Sequence, residues 1–288
     1  MDAWTVPVER TTVQAGPYRT YLYRAGAGRE LAVLFLHGSG PGVSAWANWQ
    51  FALPALGQRF DCLAPDLVGF GQSEHPNPPL QGMTAWMRAW LEQVIALLDA
   101  LGIERTHVVG NSMGGAIALH LLWRHPQRVA SAVLMGTVGV PFQITPSLDR
   151  TWGFYDEPTL ERLTQIFRWF VYDPERVGGD LAAIARQRYE STQDPHARRS
   201  FAAMFPAPRQ RHLDELVVPD DVLTSIRQRV LLIHGRDDQI IPLDTSLYLL
   251  RRLPHVQLHV FGQCSHWTQI EYRDAFNRLI TDFIAGEL

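Results

Sequence analysis

Lysine is missing from all 288 residues, and every one of the 26 basic side chains is arginine. No chemistry that needs an ε-amine can operate from these residues. That excludes an imine-forming aldolase, pyridoxal phosphate held as an imine, a Walker-type phosphate loop and a Ser–Lys hydrolase. Cysteine is almost as scarce. Cys62 and Cys264 make no disulfide framework, and no Cys/His cluster has zinc spacing, so neither metal nor cofactor is expected. Long apolar runs are absent too; residues 31–36 form one of the longest, far short of a bilayer span. The opening Met1-Asp2-Ala3-Trp4 carries acid early and has no apolar stretch, so no secretory leader is expected. A net charge of −3 gives no electrostatic case for nucleic acid or an anionic membrane. At 46% hydrophobic and 19% charged, the chain reads as globular, with room for one large domain or a domain carrying an insertion. The expectation is a cytoplasmic protein acting on a small molecule.

What is present alternates. Residues 31–36, 61–64, 106–109 and 130–135 are short apolar runs ending near Gly, Pro or His, and read as strands. Between them, 83–101 and 114–125 carry helical patterns, the first with Trp86, Trp90, Val94, Leu97 and Leu98 at roughly 3.6 spacing. Such alternation predicts a mostly parallel sheet covered on both faces. Residues 8–14 and 19–25, split by Gly16-Pro17, read as an antiparallel edge pair, and the strands resume at 230–233 and 256–261 with helices at 243–253 and 274–284. Residues 136–228 hold no convincing strand but show helices near 159–170, 181–189 and 195–204. That stretch is too long and too patterned for a loop. It predicts a helical cap over 142–213, inserted after the sixth strand and lying over the carboxyl edge of a core made of 1–141 and 214–288. Open α/β sheets bind their ligands at that edge.

The sharpest motif is Gly110-Asn111-Ser112-Met113-Gly114-Gly115, a G-x-S-x-G sequence that follows one strand and opens a helix. By itself the pattern is weak. In this context it predicts a strained strand-to-helix turn that exposes the hydroxyl of Ser112, with small residues on both sides because larger ones would collide. A serine nucleophile needs a base and the base an orienting carboxylate, in the chain order Ser, Asp, His. After strand 230–233 comes Asp237-Asp238. Asp238 has the better register between Gly235 and Pro242, which leaves Asp237 as a surface charge or a partner for an arginine. After strand 256–261 comes His266, which order and position pick out from 11 histidines. His120, His125 and His234 read as structural. The oxyanion hole needs two backbone donors. Met113 N–H follows the nucleophile, and Ser39 N–H is the choice from the loop His37-Gly38-Ser39-Gly40-Pro41-Gly42.

Several longer stretches then make the chain resemble the meta-cleavage product hydrolases, a branch of the α/β-hydrolase superfamily that cleaves a carbon–carbon bond in ring-opened aromatic catabolites. They are residues 36–49 (LHGSGPGVSAWANW), the elbow at 110–115, the cap segment 201–211 (FAAMFPAPRQR), and 259–262 with 266–269 (HVFG, HWTQ). The first and third are similar to the branch acting on 2-hydroxymuconic semialdehyde and its 6-alkyl ketone relatives, whereas Met113 is similar to the biphenyl-type branch. One position departs from the pattern: relatives carry Gly before the histidine, and this chain has Ser265.

The resemblance implies an α/β-hydrolase fold with an eight-stranded, mostly parallel sheet, and a dimer or larger homo-oligomer. It also implies a 2-hydroxy-6-oxo-2,4-dienoate substrate. Arg188 would hold the carboxylate, because a guanidinium can grip it with two parallel bonds. Gly40, Asn111, Ser39 and Trp267 match positions lining the dienoate end, and Phe170 an apolar cap contact. The implied chemistry is ketonisation at C5, attack of Ser112 on C6, expulsion of a five-carbon fragment and hydrolysis of the acyl-enzyme. A gem-diol route, with Ser112 assisting water, is the other course. The competing readings are a general carboxylesterase with the same triad and a ligand-binding receptor on the same fold.

Overall fold

The structure, a computed structural model, describes residues 6–288; the N-terminal residues read above for a leader lie outside the described residues, as do the first five of the expected core. Eight strands form one sheet: β1 (Val8–Ala15), β2 (Tyr18–Ala25), β3 (Ala32–Leu36), β4 (Asp61–Pro65), β5 (Thr106–Asn111), β6 (Val129–Met135), β7 (Arg229–Gly235) and β8 (Val256–Phe261). Their order across the sheet is β1-β2-β4-β3-β5-β6-β7-β8. The pairings β1–β2 and β2–β4 are antiparallel and all the others parallel. This is the α/β-hydrolase arrangement expected from the sequence.

Burial explains the strand sequences. β3, AVLFL, and β4, DCLAP, are buried along their whole length, as strands covered on both faces must be. β1 is an edge strand and exposes Glu9, Arg10, Thr11 and Thr12, polar groups that discourage pairing with another chain. One face of the sheet carries the helices Met83–Ala100 and Met113–Arg124. The first buries Trp86, Trp90, Val94, Leu97 and Leu98, the stripe its spacing predicts. The other face carries Ala45–Trp49 and Arg273–Ala285, whose Trp49 and Phe276 rings stack at 6.3 Å.

The chain leaves the sheet at Met135 and returns at Arg229, building only helices between. Their starting points are written in the sequence. Thr145, Thr159, Asp180 and Asp194 each accept, through a side-chain oxygen, a backbone N–H in the first turn of the following helix, at 2.8–3.1 Å. Each such cap is worth about 1 kcal/mol. The helix Leu160–Phe170 turns Leu163, Ile166, Phe167 and Phe170 inward at helical spacing. The short helices Leu53–Leu56, Pro146–Trp152, Gln210–Leu216 and Asp220–Ser225 were not read from the sequence, because fewer than two full turns display no period. Among the described residues, no helix is long and apolar enough to cross a membrane.

Phe35 sits at the centre of this stack, fully buried in β3 with its ring 5.3 Å from that of Trp49. Phe35→Ala is expected to lower unfolding free energy by about 3–5 kcal/mol, read as a shifted midpoint in urea at unchanged slope.

Candidate active site

Ser112 lies between β5 and the helix Met113–Arg124 with φ 55° and ψ −114°. A non-glycine residue in such a conformation costs about 1–3 kcal/mol and persists only where its surroundings over-determine it. Here Ser112 N–H donates to Met135 O (2.9 Å), and Ser112 O accepts from the N–H groups of Gly115, Ala116 and Val138 (3.0, 3.3 and 3.3 Å). The neighbouring glycines are needed because there is no space for more. A Cβ on Gly114 would stand 2.2 Å from Leu36 O, and one on Gly110 would stand 2.4 Å from Gly114 O. The strained turn and the tight glycines are thus one feature.

Asp238 follows β7 and His266 follows β8, and the two meet. His266 Nδ1–H donates to Asp238 Oδ2 at 2.7 Å, which leaves Nε2 as the basic nitrogen. The other carboxylate oxygen, Oδ1, accepts from Ile240 N–H (2.7 Å) and Ile241 N–H (3.0 Å). Burial works against charge on Asp238, yet His266 beside it and the bonds from His234 and His266 outweigh burial and hold the carboxyl well below the usual carboxylate range. Asp238 therefore stays ionised at neutral pH. Asp237 points away and pairs with Arg236 at 3.2 Å, the surface role expected for it.

His234, read from the sequence as structural, is fully buried behind this pair. Its Nε2–H is directed to Ile241 O (3.0 Å) and lies 3.4 Å from Asp238 Oδ2, and its Nδ1 accepts from Ser246 Oγ (2.7 Å). It lies against the same carboxylate oxygen that His266 bonds. His120 bonds Leu216 O at 3.1 Å, well away from this cluster.

Ser112 and His266 line one cleft with Ser39, Gly40, Asn111, Phe170, Arg188 and Trp267. All the side chains read as substrate contacts therefore come together, with Leu148, Ile166, Phe167 and Ile240 supplying apolar walls. Of the two residues read as oxyanion donors, Ser39 lines the same cleft as Ser112 and Met113 follows Ser112 in the chain. Met113 is the first residue of its helix, where N–H groups have no intrahelical partner, and Ser39 belongs to the loop after β3. That loop is fixed by His37. Leu67 N–H donates to His37 Nε2 (3.0 Å), so the ring proton is on Nδ1 and donates to Gly38 O (2.8 Å). Burial, opposed by the Gly38 carbonyl and reinforced by Arg188, pulls the His37 pKa down to about 4, so the ring is neutral.

Arg188 comes from the helix Leu181–Thr192, and its guanidinium carbon lies 5.8 Å from the centre of the Phe167 ring. The residue as a whole keeps partial exposure, but burial of the guanidinium pulls its pKa down to about 10, with no carboxylate acting against that shift. It is charged at neutral pH and has no anionic partner among the described residues. Phe170 packs edge-on against His266 at 5.1 Å and against Trp267 at 5.2 Å.

Two contributors were missed. Asn48 Oδ1 accepts from Gly38 N–H (2.9 Å) and Asn111 Nδ2 (3.1 Å), tying the oxyanion loop to the elbow. Asn48 Nδ2 and Asn111 Oδ1 remain buried without a partner among the described residues, and both residues line the cleft. Trp152 Nε1–H donates to Ser39 Oγ at 2.8 Å. No spacing separates Asn48 or Trp152 from ordinary core residues; only the fold brings them here. Among the described residues, no group of three or more His, Cys, Asp or Glu is arranged to hold a metal ion.

A Cβ on Gly235 would stand 2.1 Å from Ser265 O, so the loops bearing Asp238 and His266 meet only because residue 235 is glycine. Displacing catalytic groups by about 1 Å costs about 100-fold in rate. Gly235→Ala is expected to lose turnover of a chromogenic ester by that order while keeping its far-UV circular dichroism.

The chain matches the family model described as alpha/beta hydrolase fold over residues 32–272. It is similar, at 44% identity over 96% of both chains, to a 2-hydroxy-6-oxo-2,4-heptadienoate hydrolase of Pseudomonas putida. It is 45% identical to a 2-hydroxymuconate semialdehyde hydrolase of Pseudomonas sp. strain CF600, over 96% of this chain and 94% of that one. Among solved structures it superimposes on a meta-cleavage product hydrolase from Pseudomonas fluorescens IP01 with a TM-score of 0.90 at 39% identity, covering 96% of this chain and 98% of the other. A serine hydrolase from the polyaromatic-hydrocarbon degrader Cycloclasticus zankles gives 0.95 at 45% identity, covering 98% and 99%. With matches of this length and identity, and the strained serine turn beside a His–Asp pair, the chain belongs to the meta-cleavage product hydrolases of the α/β-hydrolase family.

Proposed function

We propose that this protein hydrolyses the C5–C6 bond of a 2-hydroxy-6-oxo-2,4-dienoate whose C6 carries hydrogen or a small alkyl group, giving 2-hydroxypenta-2,4-dienoate and a carboxylic acid. The observation that carries the reading is Arg188: a desolvated guanidinium lining the cleft with no anionic partner among the described residues. Leaving a charge buried and unpaired is costly, and a substrate carboxylate relieves that cost. A cleft built for neutral esters has no use for such a cation. The names of the relatives at 44% and 45% identity support the same substrate class and the small C6 group.

With the carboxylate on Arg188, the dienoate extends past Asn48 and Asn111 so that C6 meets Ser112. His266 Nε2 takes the 2-hydroxyl proton of the dienol and returns a proton to C5, converting the dienol to a ketone and leaving the imidazole neutral. The electron sink that an enzyme lysine would otherwise provide is then the substrate's own C2 carbonyl, conjugated through C3=C4. Ser112 Oγ, losing its proton to His266 Nε2, attacks C6, and the new oxyanion is held by Ser39 and Met113 N–H groups. Collapse breaks C5–C6, the electron pair passing into the conjugated carbonyl, whose oxygen takes the proton back from His266 to give 2-hydroxypenta-2,4-dienoate; water, giving a proton to His266, then cleaves the Ser112 acyl ester and the proton returns to Ser112 Oγ. Asp238 keeps the His266 proton on Nδ1 and stabilises the imidazolium. In this reading residues 142–213 are the cap that supplies Phe170 and Arg188, over a core of 1–141 and 214–288. The enzyme would work in the cytoplasm, as composition and the two unpaired cysteines suggest, and the family resemblance implies a dimer or larger assembly.

Two outcomes follow. The wild-type protein should bleach the yellow 6-hydrogen and 6-methyl dienoates faster than the 6-phenyl compound, and folded protein that bleaches none would refute the assignment. Arg188→Gln should lose kcat/KM on the dienoates by roughly 10- to 100-fold while hydrolysis of a neutral chromogenic ester changes by less than about threefold. Equal losses on both substrates would favour a general carboxylesterase.

A further inference from the structure

Ser265 immediately precedes His266, and its side chain has a definite partner. The residue is fully buried. Its Oγ–H donates to Trp169 O at 2.7 Å and its N–H donates to Glu271 Oε1 at 2.8 Å. Trp169 is the penultimate residue of the helix Leu160–Phe170, where carbonyls have no intrahelical partner. The next carbonyl, Phe170 O, accepts from Trp267 N–H at 3.1 Å. Glu271, itself buried, completes the seam, its Oε2 accepting from Tyr172 N–H (2.9 Å) and Asp173 N–H (3.0 Å). The residues on either side of His266 are therefore bonded to the end of the helix that presents Phe170. Nor does Ser265 strain the loop: the positive φ there belongs to Gln263.

We propose that Ser265 is a positioning residue: its hydroxyl locks the end of helix Leu160–Phe170 onto the His266 loop, so that Phe170 holds the imidazole from one side and sets the width of the cleft beside C6 from the other. The Phe170 ring contacts both His266 and Trp267, so any slip of the helix end reaches the base and the substrate wall together. A glycine at 265 supplies no donor, and Trp169 O then loses this bond. The proposal rests on the dienoate reading above.

Ser265→Ala removes only the hydroxyl, and Ser265→Gly removes the whole side chain. Each variant is compared with wild type in three ways: kcat and KM on the 6-methyl and 6-phenyl dienoates, the pH profile of kcat/KM, and amide hydrogen exchange at Phe170, Tyr172 and Asp173. Loss of one buried hydrogen bond predicts a fall in kcat on the 6-methyl dienoate of about three- to tenfold. Selectivity should shift several-fold toward the 6-phenyl compound, the acid limb of the pH profile should move, and exchange should quicken at Tyr172 and Asp173. Wild-type exchange with unchanged selectivity would overturn the proposal. So would faster exchange with unchanged selectivity and pH profile, since the hydroxyl would then be a structural tie alone. Failure of the wild-type protein to cleave any dienoate would instead overturn the functional reading, and this proposal with it; the wild-type measurement separates that outcome from the others.

Discussion

Ser112 is held at φ 55° between a strand and a helix, and the rest of the molecule is organised around keeping it there. The turn needs bare backbone at Gly110 and Gly114, and a parallel neighbour whose Met135 carbonyl receives the serine N–H. It also needs a helix whose first N–H groups open toward the cleft. Parallel pairing of β5, β6, β7 and β8 then brings the loops after β7 and β8 to the same edge of the sheet, where Asp238 and His266 meet at 2.7 Å. The strain is local and its support is distributed through the core.

The second constraint is electrostatic. Arg188 is charged, partly exposed as a residue but desolvated at its guanidinium, and without an anionic partner among the described residues, while Asp238 is charged, buried at its side chain and fully partnered. A satisfied buried carboxylate has a fixed orienting role. A guanidinium without an anionic partner has no such fixed role within the protein. The absence of lysine from the sequence fits the same picture. With no lysine amine to form an imine, bond cleavage next to a carbonyl cannot run through a lysine Schiff base, and every permanent side-chain cation in the sequence is arginine.

Long elements and punctuated motifs were legible in the sequence. The buried runs of β3, β5, β6 and β7, the tryptophan stripe of Met83–Ala100 and the G-x-S-x-G turn each follow from period or steric need, and the strandless stretch 136–228 announced a helical insertion. Contacts between distant segments were not legible. Asn48 bridges Gly38 and Asn111, Trp152 reaches Ser39, and His234 supports Asp238, each through a side chain whose type and spacing match an ordinary core position. Ser265 was visible as a departure, but its partner is a backbone carbonyl 96 residues away, which no local pattern encodes. Helices of four to seven residues escaped for the simpler reason that a period needs about two turns to show.

The account stands or falls on which bond is broken and by what. The most direct measurement is product stoichiometry from the 6-methyl dienoate with wild-type protein and with Ser112→Ala. The account predicts one equivalent each of acetate and 2-hydroxypenta-2,4-dienoate per molecule consumed by wild type. Ser112→Ala should bind the dienoate and release neither product. Intact dienoate after incubation with wild-type protein that still hydrolyses a neutral ester, or equal acetate release by Ser112→Ala, would contradict it.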